Sequence, residues 1–495
     1  MRDLDVPIWR PCRPLRATTG APMARLRSRT ALALALALTG GACTETTRAN
    51  PPAAPPAAPA PPPPAPTVVP PAGSAEPAAS AAPAGSATPA DPSVTQAAFS
   101  PPPDLNVLVI SIDSLRADMP WSGYPRDIAP NLTKFEKTAV SYTRAYSMSS
   151  YTAMSLGGFL SGRYPGTLHR NGYFFEQYAD DVHMFPELLQ KAGIRTVNAQ
   201  AHFYFDKKQV GFQRGFDVTK IVPGLEADNK TDNNVTSPKH LKLAQDLLSD
   251  KANTGGRFFA WFHFLDPHDV YIAHDGFGPY GTGKKPRDKY DSEVAYTDSH
   301  VGKLIEFVDA QPWGKRTAII VTSDHGEGFG ERKMHRHGFE IYEVLVHVPL
   351  MIRMPGAAPR RIDVPRSNVD LAPTIVDAMG AKADLPFDGQ SLVKEIYGAP
   401  PEPRDVIVDL PRTTDNDRRR ALVQGKYKVI AYGDDQVFEV FDVVADPEES
   451  QDLKKSDRAT FDRMVAAYKA RVARIKDVCP KFTEKLRGKT KGKRC

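Results

Sequence analysis

The chain has 495 residues, 25% of them charged, and a formal net charge of +6 at pH 7. Residues 476–495 alone hold eight Lys or Arg and two Asp or Glu, a net of +6, so the rest of the chain is balanced. We find no basic patch with interleaved aromatic residues and no known nucleic-acid-binding module, and we expect no nucleic-acid partner. The spacing of the cysteines and histidines is not typical of a structural zinc site.

Residues 1–43 have the features of an export signal. These features are three arginines, an apolar stretch and a small-residue cleavage site: Arg25, Arg27, Arg29, residues 31–38 and residues 39–42. The apolar stretch is too short for a bilayer, which takes about 20 residues, so we predict a secretory signal that starts at Met23. Cys43 resembles a bacterial lipoprotein site, and cleavage near Ala42 without lipidation is the alternative. Both predict an exported protein of the bacterial cell envelope, either lipid-anchored, periplasmic or on the cell surface.

Residues 44–103 are predicted to form a linker, since residues 49–103 contain nineteen of the 46 prolines. Such a composition cannot bury a core. An extended polyproline chain rises about 3.1 Å per residue, so this segment could reach on the order of 150 Å. The remaining predicted divisions are a catalytic domain, a C-terminal subdomain with a terminal helix, and a basic tail: residues 104–400, 401–478 and 479–495. Apolar residues at mostly helical spacing between 456 and 478 predict the terminal helix.

Two short apolar runs end in acidic residues. Residues 107–112 lead into Asp113, and residues 317–322 lead into Ser323, Asp324 and His325. Each run reads as a buried parallel strand, and ligands of open α/β sheets bind outside the carboxyl ends of such strands. Two carboxylates and an imidazole brought together there would form a site for a hard cation.

A third element lies between these strands. Ser149, Ser150, Thr152 and Ser155 are residue types that begin helices, so we predict a helix that starts here. A helix N-terminus suits an anion, and a hydroxyl beside a metal could act as a nucleophile. An ordinary serine-capped helix is the alternative interpretation of this segment alone.

Eight motifs in a fixed order make the chain resemble the sulfatase family between roughly residues 104 and 455. They are Ile112-Asp-Ser-Leu-Arg-Ala-Asp118, Pro130-Asn-Leu132, Leu160-Ser-Gly-Arg-Tyr-Pro165, Ser323-Asp-His-Gly-Glu327, His337-Gly-Phe-Glu-Ile-Tyr-Glu343, Val348-Pro-Leu-Met-Ile-Arg-Met-Pro-Gly356, Asp370-Leu-Ala-Pro-Thr374 and Phe441-Asp-Val-Val-Ala-Asp-Pro-Glu-Glu449. The resemblance implies the α/β fold of the alkaline phosphatase superfamily. That fold is a mixed sheet flanked by helices, with a small C-terminal β subdomain, to which we add the terminal helix.

The chain departs from the family at the nucleophile. Sulfatases oxidise the cysteine of a Cys-x-Pro-Ser-Arg motif to formylglycine, and counting back from Gly162 places Thr152 at that position. The motif's proline and arginine are replaced by Met154 and Leu156. Threonine cannot become formylglycine, so we expect none. A threonine here is similar to the phosphoethanolamine and lipoteichoic-acid phosphotransferase branches of the superfamily.

A second departure affects the metal site. Ser114 stands where sulfatases usually have another aspartate, which removes one negative charge. The resemblance then implies a single divalent ion, Mn²⁺, Zn²⁺, Mg²⁺ or Ca²⁺, held by Asp113, Asp324, His325 and the oxygen of Thr152. One imidazole among oxygen ligands favours Mn²⁺ or Zn²⁺ over Ca²⁺.

All twelve histidines lie between His169 and His347. The resemblance matches His268, in Asp-Pro-His, to the family histidine that contacts the ester, and His337 to the His-Gly before the Tyr-Glu pair. We expect both to bind non-bridging oxygens of the ester or to protonate the leaving group. The sequence assigns no role to His263 or His335.

Three functions remain open from the sequence. The first is an exported metal-dependent hydrolase or phosphotransferase that cleaves a phosphate or sulfate ester of a glycan, lipid or small molecule through Thr152. The second is a conventional sulfatase, against which the missing cysteine argues. The third is a pseudoenzyme that binds an anionic glycan or lipid without turnover, against which the retained Asp113, Asp324 and His325 argue.

Overall fold

The computed structural model describes residues 100–206, 210–225 and 235–480. The predicted export signal, residues 44–99 of the predicted linker and residues 481–495 of the predicted basic tail lie outside this part of the chain. Of the helices that the structure describes, none has both the length and the apolar character needed to cross a membrane.

Eight strands form a mixed sheet at the centre of the described domain. From one edge to the other they are β12 (Arg360–Ile362), β2 (Val140–Tyr142), β11 (Leu350–Arg353), β7 (Thr317–Ser323), β1 (Asn106–Ile112), β6 (Phe258–Phe264), β4 (Arg195–Gln200) and β5 (Val218–Ile221). Strand β1 runs parallel to both neighbours, β6 and β7, whereas β11 is antiparallel to β7 and β2. Every residue of β1, β6 and β7 is buried, as expected for parallel strands covered on both faces. The α/β prediction is therefore confirmed.

Helices cover both faces of this sheet. On one face lie α1 (Pro130–Glu136), α4 (Ser237–Ser249) and α6 (Pro286–Asp309), and on the other lie α2 (Thr152–Ser161), α3 (Pro186–Lys191) and α8 (Leu371–Ala378). Shorter helices are α5 (Lys251–Thr254), α7 (Glu343–Val346), α9 (Val393–Ile396) and α10 (Leu453–Ser456). Because strand side chains alternate, Leu108 and Ile110 enter the core with α6, while Val107 and Val109 enter the core with α2.

The C-terminal subdomain is a four-stranded antiparallel sheet. Its strands are β14 (Val406–Leu410), β15 (Arg419–Gln424), β16 (Tyr427–Tyr432) and β17 (Val437–Asp442). The terminal helix α11 (Arg458–Val472) buries Phe461, Met464 and Tyr468, and it is shorter than the predicted range. It begins at Arg458 because the carboxylate of Asp457 accepts a hydrogen bond from the Thr460 amide. The predicted β subdomain and terminal helix are thus confirmed.

The remaining strands are short. β3 (Ala145–Tyr146), β10 (His347–Val348) and β13 (Arg366–Ser367) form a three-stranded sheet, and β8 (Gly328–Phe329) pairs with β9 (His335–Arg336) in a hairpin. The hairpin follows β7 and carries the chain from Asp324 to His337.

A buried histidine on α4 links the stability of this core to pH. His240 stacks on Phe264 with 4.4 Å between ring centroids, and burial lowers its pKa to about 3. In the unfolded chain a histidine binds a proton near pH 6.5. Between these two values the unfolded state binds more protons than the native state, so the free energy of unfolding falls as the pH decreases.

We therefore expect His240→Phe to reduce acid destabilisation. Urea unfolding from about pH 7 to about pH 4 should show a smaller fall in the free energy of unfolding for the variant, by on the order of a few kcal/mol. Phenylalanine retains the contact with Phe264 and does not titrate. Parallel pH curves for the two proteins would contradict the assignment of this effect to His240.

Candidate active site

The site lies where β1 and β7 end side by side. Ile112 pairs with Ser323 in the parallel register, so the residues that follow the two strands emerge together at their carboxyl ends. Asp113, Asp324 and His325 are all buried, and each offers one ligand atom within 4.8 Å of the others. The structure thus brings together three of the four residues that the sequence predicted as metal ligands, and the fourth, Thr152, is described below.

Backbone geometry holds these side chains in place. Ser114 adopts a left-handed conformation with φ of 59°, which a non-glycine residue rarely takes. In this conformation its hydroxyl donates to Asp113 Oδ1 at 3.1 Å and its amide donates to Asp324 Oδ1 at 3.3 Å. A strained residue that is fixed by both carboxylates is typical of a functional site.

Gly326, directly after His325, is required by a close backbone approach. A Cβ at this position would lie 2.1 Å from the carbonyl oxygen of Val344. The Gly326 amide also donates to the carbonyl of Leu345 at 2.8 Å. These contacts bring the chain after His325 against α7, so the Asp-His-Gly sequence has a steric reason as well as a chemical one.

His325 presents a lone pair to the centre of the site. Its Nδ1 donates to the carbonyl of Gly326 at 2.9 Å, and burial lowers the pKa of the ring, so Nε2 carries no proton. Nε2 lies 3.4 Å from both Asp113 Oδ1 and Asp324 Oδ2. Within the described residues, the buried Asp324 Oδ2 accepts no hydrogen bond. A nitrogen lone pair facing two carboxylate oxygens fits a divalent cation.

The two carboxylates differ in their electrostatic environment. Burial, together with the charge of Asp113, raises the pKa of Asp324. Burial would also raise the pKa of Asp113, but the charge of His268 and the hydrogen bond with His263 hold it well below its usual value. Asp113 is therefore the carboxylate that stays ionised, and a bound cation would favour ionisation of Asp324 as well.

Thr152 is the first residue of α2 and lies beside this donor set. Its Oγ1 is 3.1 Å from His325 Nε2 and 3.3 Å from Asp113 Oδ2. The helix does begin in the predicted segment, but the capping residue is Tyr151 and no side chain caps it. The serine-cap interpretation is wrong here because the cluster's serine side chains turn inward: Ser149 and Ser150 are fully buried, and the hydroxyl of Ser155 donates to the carbonyl of Ser149.

His268 and His337 complete a group of three imidazoles. The His337 ring lies 4.2 Å from that of His325 and 4.9 Å from that of His268, measured between centroids. His337 Nδ1 donates to Glu327 Oε2 at 3.1 Å, and His268 Nδ1 donates to the carbonyl of Asp269 at 2.8 Å. Both bonds place a proton on Nδ1 and orient Nε2 for other contacts.

Two residues near the site received no role from the sequence. Burial would raise the pKa of Glu327, but His337 and His268 lower it below its usual value, so Glu327 is an ionised partner for His337. His263 Nε2 lies 3.2 Å from Asp113 Oδ2. The sequence does place His263 near the end of a buried strand, where functional residues are common. The contact of His263 with Asp113 becomes visible only from the pairing of β6 with β1. His335, the other undecided histidine, is exposed on the hairpin.

A group of stacked aromatic rings lies next to Thr152 and His337 in the chain. Tyr151 stacks on Phe174 at 4.6 Å, and Phe174 stacks on Phe339 at 6.2 Å. Phe339 is 51% exposed and Phe175 is 60% exposed. Since Tyr151 precedes Thr152 and Phe339 closely follows His337, this apolar surface adjoins the site.

The chain is similar to known sulfatases in sequence. A family model described as Sulfatase matches residues 105–381, and the model for the C-terminal part of N-sulphoglucosamine sulphohydrolase matches residues 330–477. A choline-sulfatase of Rhizobium meliloti (strain 1021) is 24% identical over 440 residues, which cover 72% of this chain and 84% of that protein.

Solved structures agree on the fold. A phosphonate monoester hydrolase of Agrobacterium radiobacter has a TM-score of 0.61 at 17% identity, covering 78% of this chain and 96% of the hydrolase. Ps i-CgsB, solved in complex with k-i-k-neocarrahexaose, has a TM-score of 0.61 at 20% identity and covers 74% of this chain and 92% of its own. The Sulfatase model spans more than half of the 495 residues. The chain therefore belongs to the sulfatase family of ester hydrolases.

Proposed function

We propose that this protein is an exported hydrolase or transferase that cleaves a phosphate or sulfate ester through Thr152, with one divalent metal ion. The observation that carries the proposal is the position of Thr152 Oγ1, 3.1 Å from His325 Nε2 and 3.3 Å from Asp113 Oδ2. No other hydroxyl of the segment 149–155 has these contacts among the described residues. Thr152 is also partly exposed, whereas Ser149, Ser150 and Ser155 are buried.

The register of the helix supports Thr152 as the residue in the formylglycine position. Counting back from Gly162, which ends α2 in a left-handed conformation, gives Thr152 for the nucleophile. Met154 and Leu156, in the positions of the motif's proline and arginine, are buried in the apolar core. They cannot supply the charge that the arginine supplies in a sulfatase motif, which favours a mechanism without formylglycine.

Asp113, Asp324 and His325 would hold the metal ion, with the oxygen of Thr152 beside it. A divalent cation there would supply positive charge that lowers the pKa of the threonine hydroxyl and offsets the charge of the ester. The donor set of two carboxylates and one imidazole suits Mn²⁺, Zn²⁺ or Mg²⁺, and Ca²⁺ is the least suited to the nitrogen ligand.

The site can account for the proton transfers. The hydroxyl proton of Thr152, which is partly exposed, passes to solvent, and Thr152 Oγ1 attacks phosphorus or sulfur while Asp113 stays ionised. The ester bond to the leaving alkoxide breaks, and an imidazolium of His268 or His337 gives it a proton. Attack by water or by an acceptor hydroxyl then releases the group from Thr152, which distinguishes a hydrolase from a transferase. The free amides at the start of α2 stabilise the anionic group during both steps.

The organic part of the substrate would pass over the aromatic surface of Phe174, Phe175 and Phe339. An apolar or flat face of a glycan, lipid or small molecule would pack on these rings. A conventional sulfatase remains the second candidate, because the chain is similar to a choline-sulfatase and belongs to the family. A binding protein without turnover is disfavoured by the completeness of the donor set.

We also propose export to the bacterial cell envelope, with Cys43 as a lipid anchor. The support is the sequence alone: arginines, a short apolar stretch and a small-residue site before Cys43. A long proline-rich segment between the anchor and the enzyme would let it reach substrates away from the membrane.

Asp324→Asn tests the metal site. The amide oxygen can still accept the backbone hydrogen bonds of Ser114 and His325, but the charge at the unpaired oxygen is lost. We expect Mn²⁺ or Zn²⁺ affinity, measured by isothermal titration calorimetry, to fall by about 10²-fold or more. Asp275→Asn, at an exposed carboxylate, is the matched control. Unchanged metal stoichiometry and affinity in Asp324→Asn would show that the metal lies elsewhere.

Thr152→Ala tests the nucleophile. Turnover of aryl phosphate, phosphodiester and sulfate esters should fall by about 10³-fold or more, with metal binding kept through Asp113, Asp324 and His325. Thr152→Ser should retain activity, since only a methyl group is lost. Ser155→Ala is the control, and mass spectrometry of the quenched reaction should find the phosphoryl or sulfuryl group on Thr152. Full turnover in Thr152→Ala would transfer the role to a neighbouring serine or to water.

The mature N-terminus tests export. Mass spectrometry of the protein from a bacterial host that processes lipoproteins should find a diacylated Cys43. A free N-terminus near residue 43 would instead indicate soluble export. An intact Met1 in the cytosolic fraction would rule out both.

A further inference from the structure

Three buried polar side chains form a series of hydrogen-bond contacts that ends at the carboxylate of Asp113. Ser111 on β1 and His263 on β6 are paired in the parallel register, and Trp261 lies two residues before His263 on the same face of β6. All three are fully buried, at 2% exposure or less. They lie on the face of the sheet that carries α2.

The contacts form a continuous line. Trp261 Nε1 is 2.8 Å from Ser111 Oγ, Ser111 Oγ is 2.8 Å from His263 Nδ1, and His263 Nε2 is 3.2 Å from Asp113 Oδ2. Among the described residues, the group of donor atoms that could hold a metal ion consists of Asp113, Asp324 and His325, and it does not include these three side chains. Buried polar groups without satisfied hydrogen bonds destabilise a fold, and each of these three side chains has a polar partner in the line.

The chemistry of the indole fixes the direction of the first bond in this line. An indole N–H can only donate, so Ser111 Oγ accepts from Trp261. The Ser111 hydroxyl keeps its own proton to donate, and His263 Nδ1, 2.8 Å away, is an acceptor for it in the relay that we propose. With Nδ1 accepting, the neutral ring carries its proton on Nε2 and donates it to Asp113 Oδ2.

We propose that Trp261, Ser111 and His263 form a positioning relay that fixes His263 as the Nε2–H tautomer and so anchors Asp113 for metal binding. The proposal rests on the proposed metal site of Asp113, Asp324 and His325. His263 is a positioning residue in this arrangement and not a ligand, since its Nε2 lone pair is occupied by the proton. Hydrogen-bonded partners of this kind orient metal-binding side chains.

In this proposal, the relay holds the Asp113 oxygen that also contacts Thr152. Asp113 Oδ2 accepts from both Thr152 Oγ1 and His263 Nε2, while Oδ1 accepts from Ser114. If the Thr152 proton moves away during the reaction, His263 still holds this oxygen in place. The relay thus keeps the carboxylate from turning while the threonine changes partner.

The tautomer can be observed directly in metal-free protein. Imidazole ¹⁵N NMR distinguishes a ring protonated at Nε2 from one protonated at Nδ1 or at both nitrogens, and the loss of signals in His263→Gln assigns the resonance. We expect the Nε2–H form in the wild type and a mixture of tautomers in Ser111→Ala. Protonation at Nδ1, alone or with Nε2, would overturn the relay. This measurement needs no metal, so it succeeds or fails independently of the proposed function.

Metal affinity tests the consequence. His263→Phe should weaken Mn²⁺ binding, measured by isothermal titration calorimetry, by about 10–100-fold. His263→Gln places an amide N–H near the same point and should recover most of the affinity. His240→Phe replaces a buried histidine on the other face of the sheet and should leave affinity unchanged. Circular dichroism and thermal unfolding check that each variant is folded.

The outcomes separate the alternatives. Equal losses in His263→Phe and His263→Gln, with a wild-type ring protonated at Nδ1, would make His263 a fourth metal ligand and overturn the positioning role. Wild-type affinity in His263→Phe would overturn it as well. Absence of metal binding by the wild type would refute the proposed function, while the tautomer result would still stand.

Discussion

The site depends on the parallel pairing of β1 with β7. This pairing places Asp113 and Asp324 after adjacent strand ends, where burial brings two carboxylates together with the unprotonated nitrogen of His325. Such a group is unfavourable without a cation, because like charges and lone pairs face one another in a region of low dielectric constant. The stability that the apolar strands provide makes it possible to hold these groups together before a metal binds.

The surrounding loops are fixed by interactions that link the two strand ends. Arg116 Nη1 donates to the carbonyl of Glu327 at 2.8 Å, and its Nε donates to Asp118 at 2.8 Å, so the loop after β1 is tied to the loop after β7. Ser114 bridges the two aspartates in a left-handed conformation. Because the loops constrain each other, a substitution in either would disturb both carboxylates.

The position of Thr152 links the family fold to a particular chemistry. Under the function proposed above, the hydroxyl of Thr152 takes the place of the formylglycine that a sulfatase carries. That hydroxyl meets the same requirements: a nearby cation site, free helix amides and imidazoles that can protonate a leaving group. In the proposed relay, His263 Nε2 is a second partner of Asp113 Oδ2, at 3.2 Å.

The sequence by itself determined the fold class and the family, because strand patterns and motif order are local features of the chain, and it proposed four metal-binding candidates. It also predicted a helix start within residues 149–155, but it could not tell that Ser149 and Ser150 turn inward, since that depends on packing against the core. Only the tertiary structure decided the partners of Glu327 and His263. Glu327 meets His337 through the hairpin, and His263 meets Asp113 and Ser111 through the pairing of β6 with β1, a contact between residues about 150 positions apart. Such contacts follow from strand order and register, which a single sequence does not encode in any short segment.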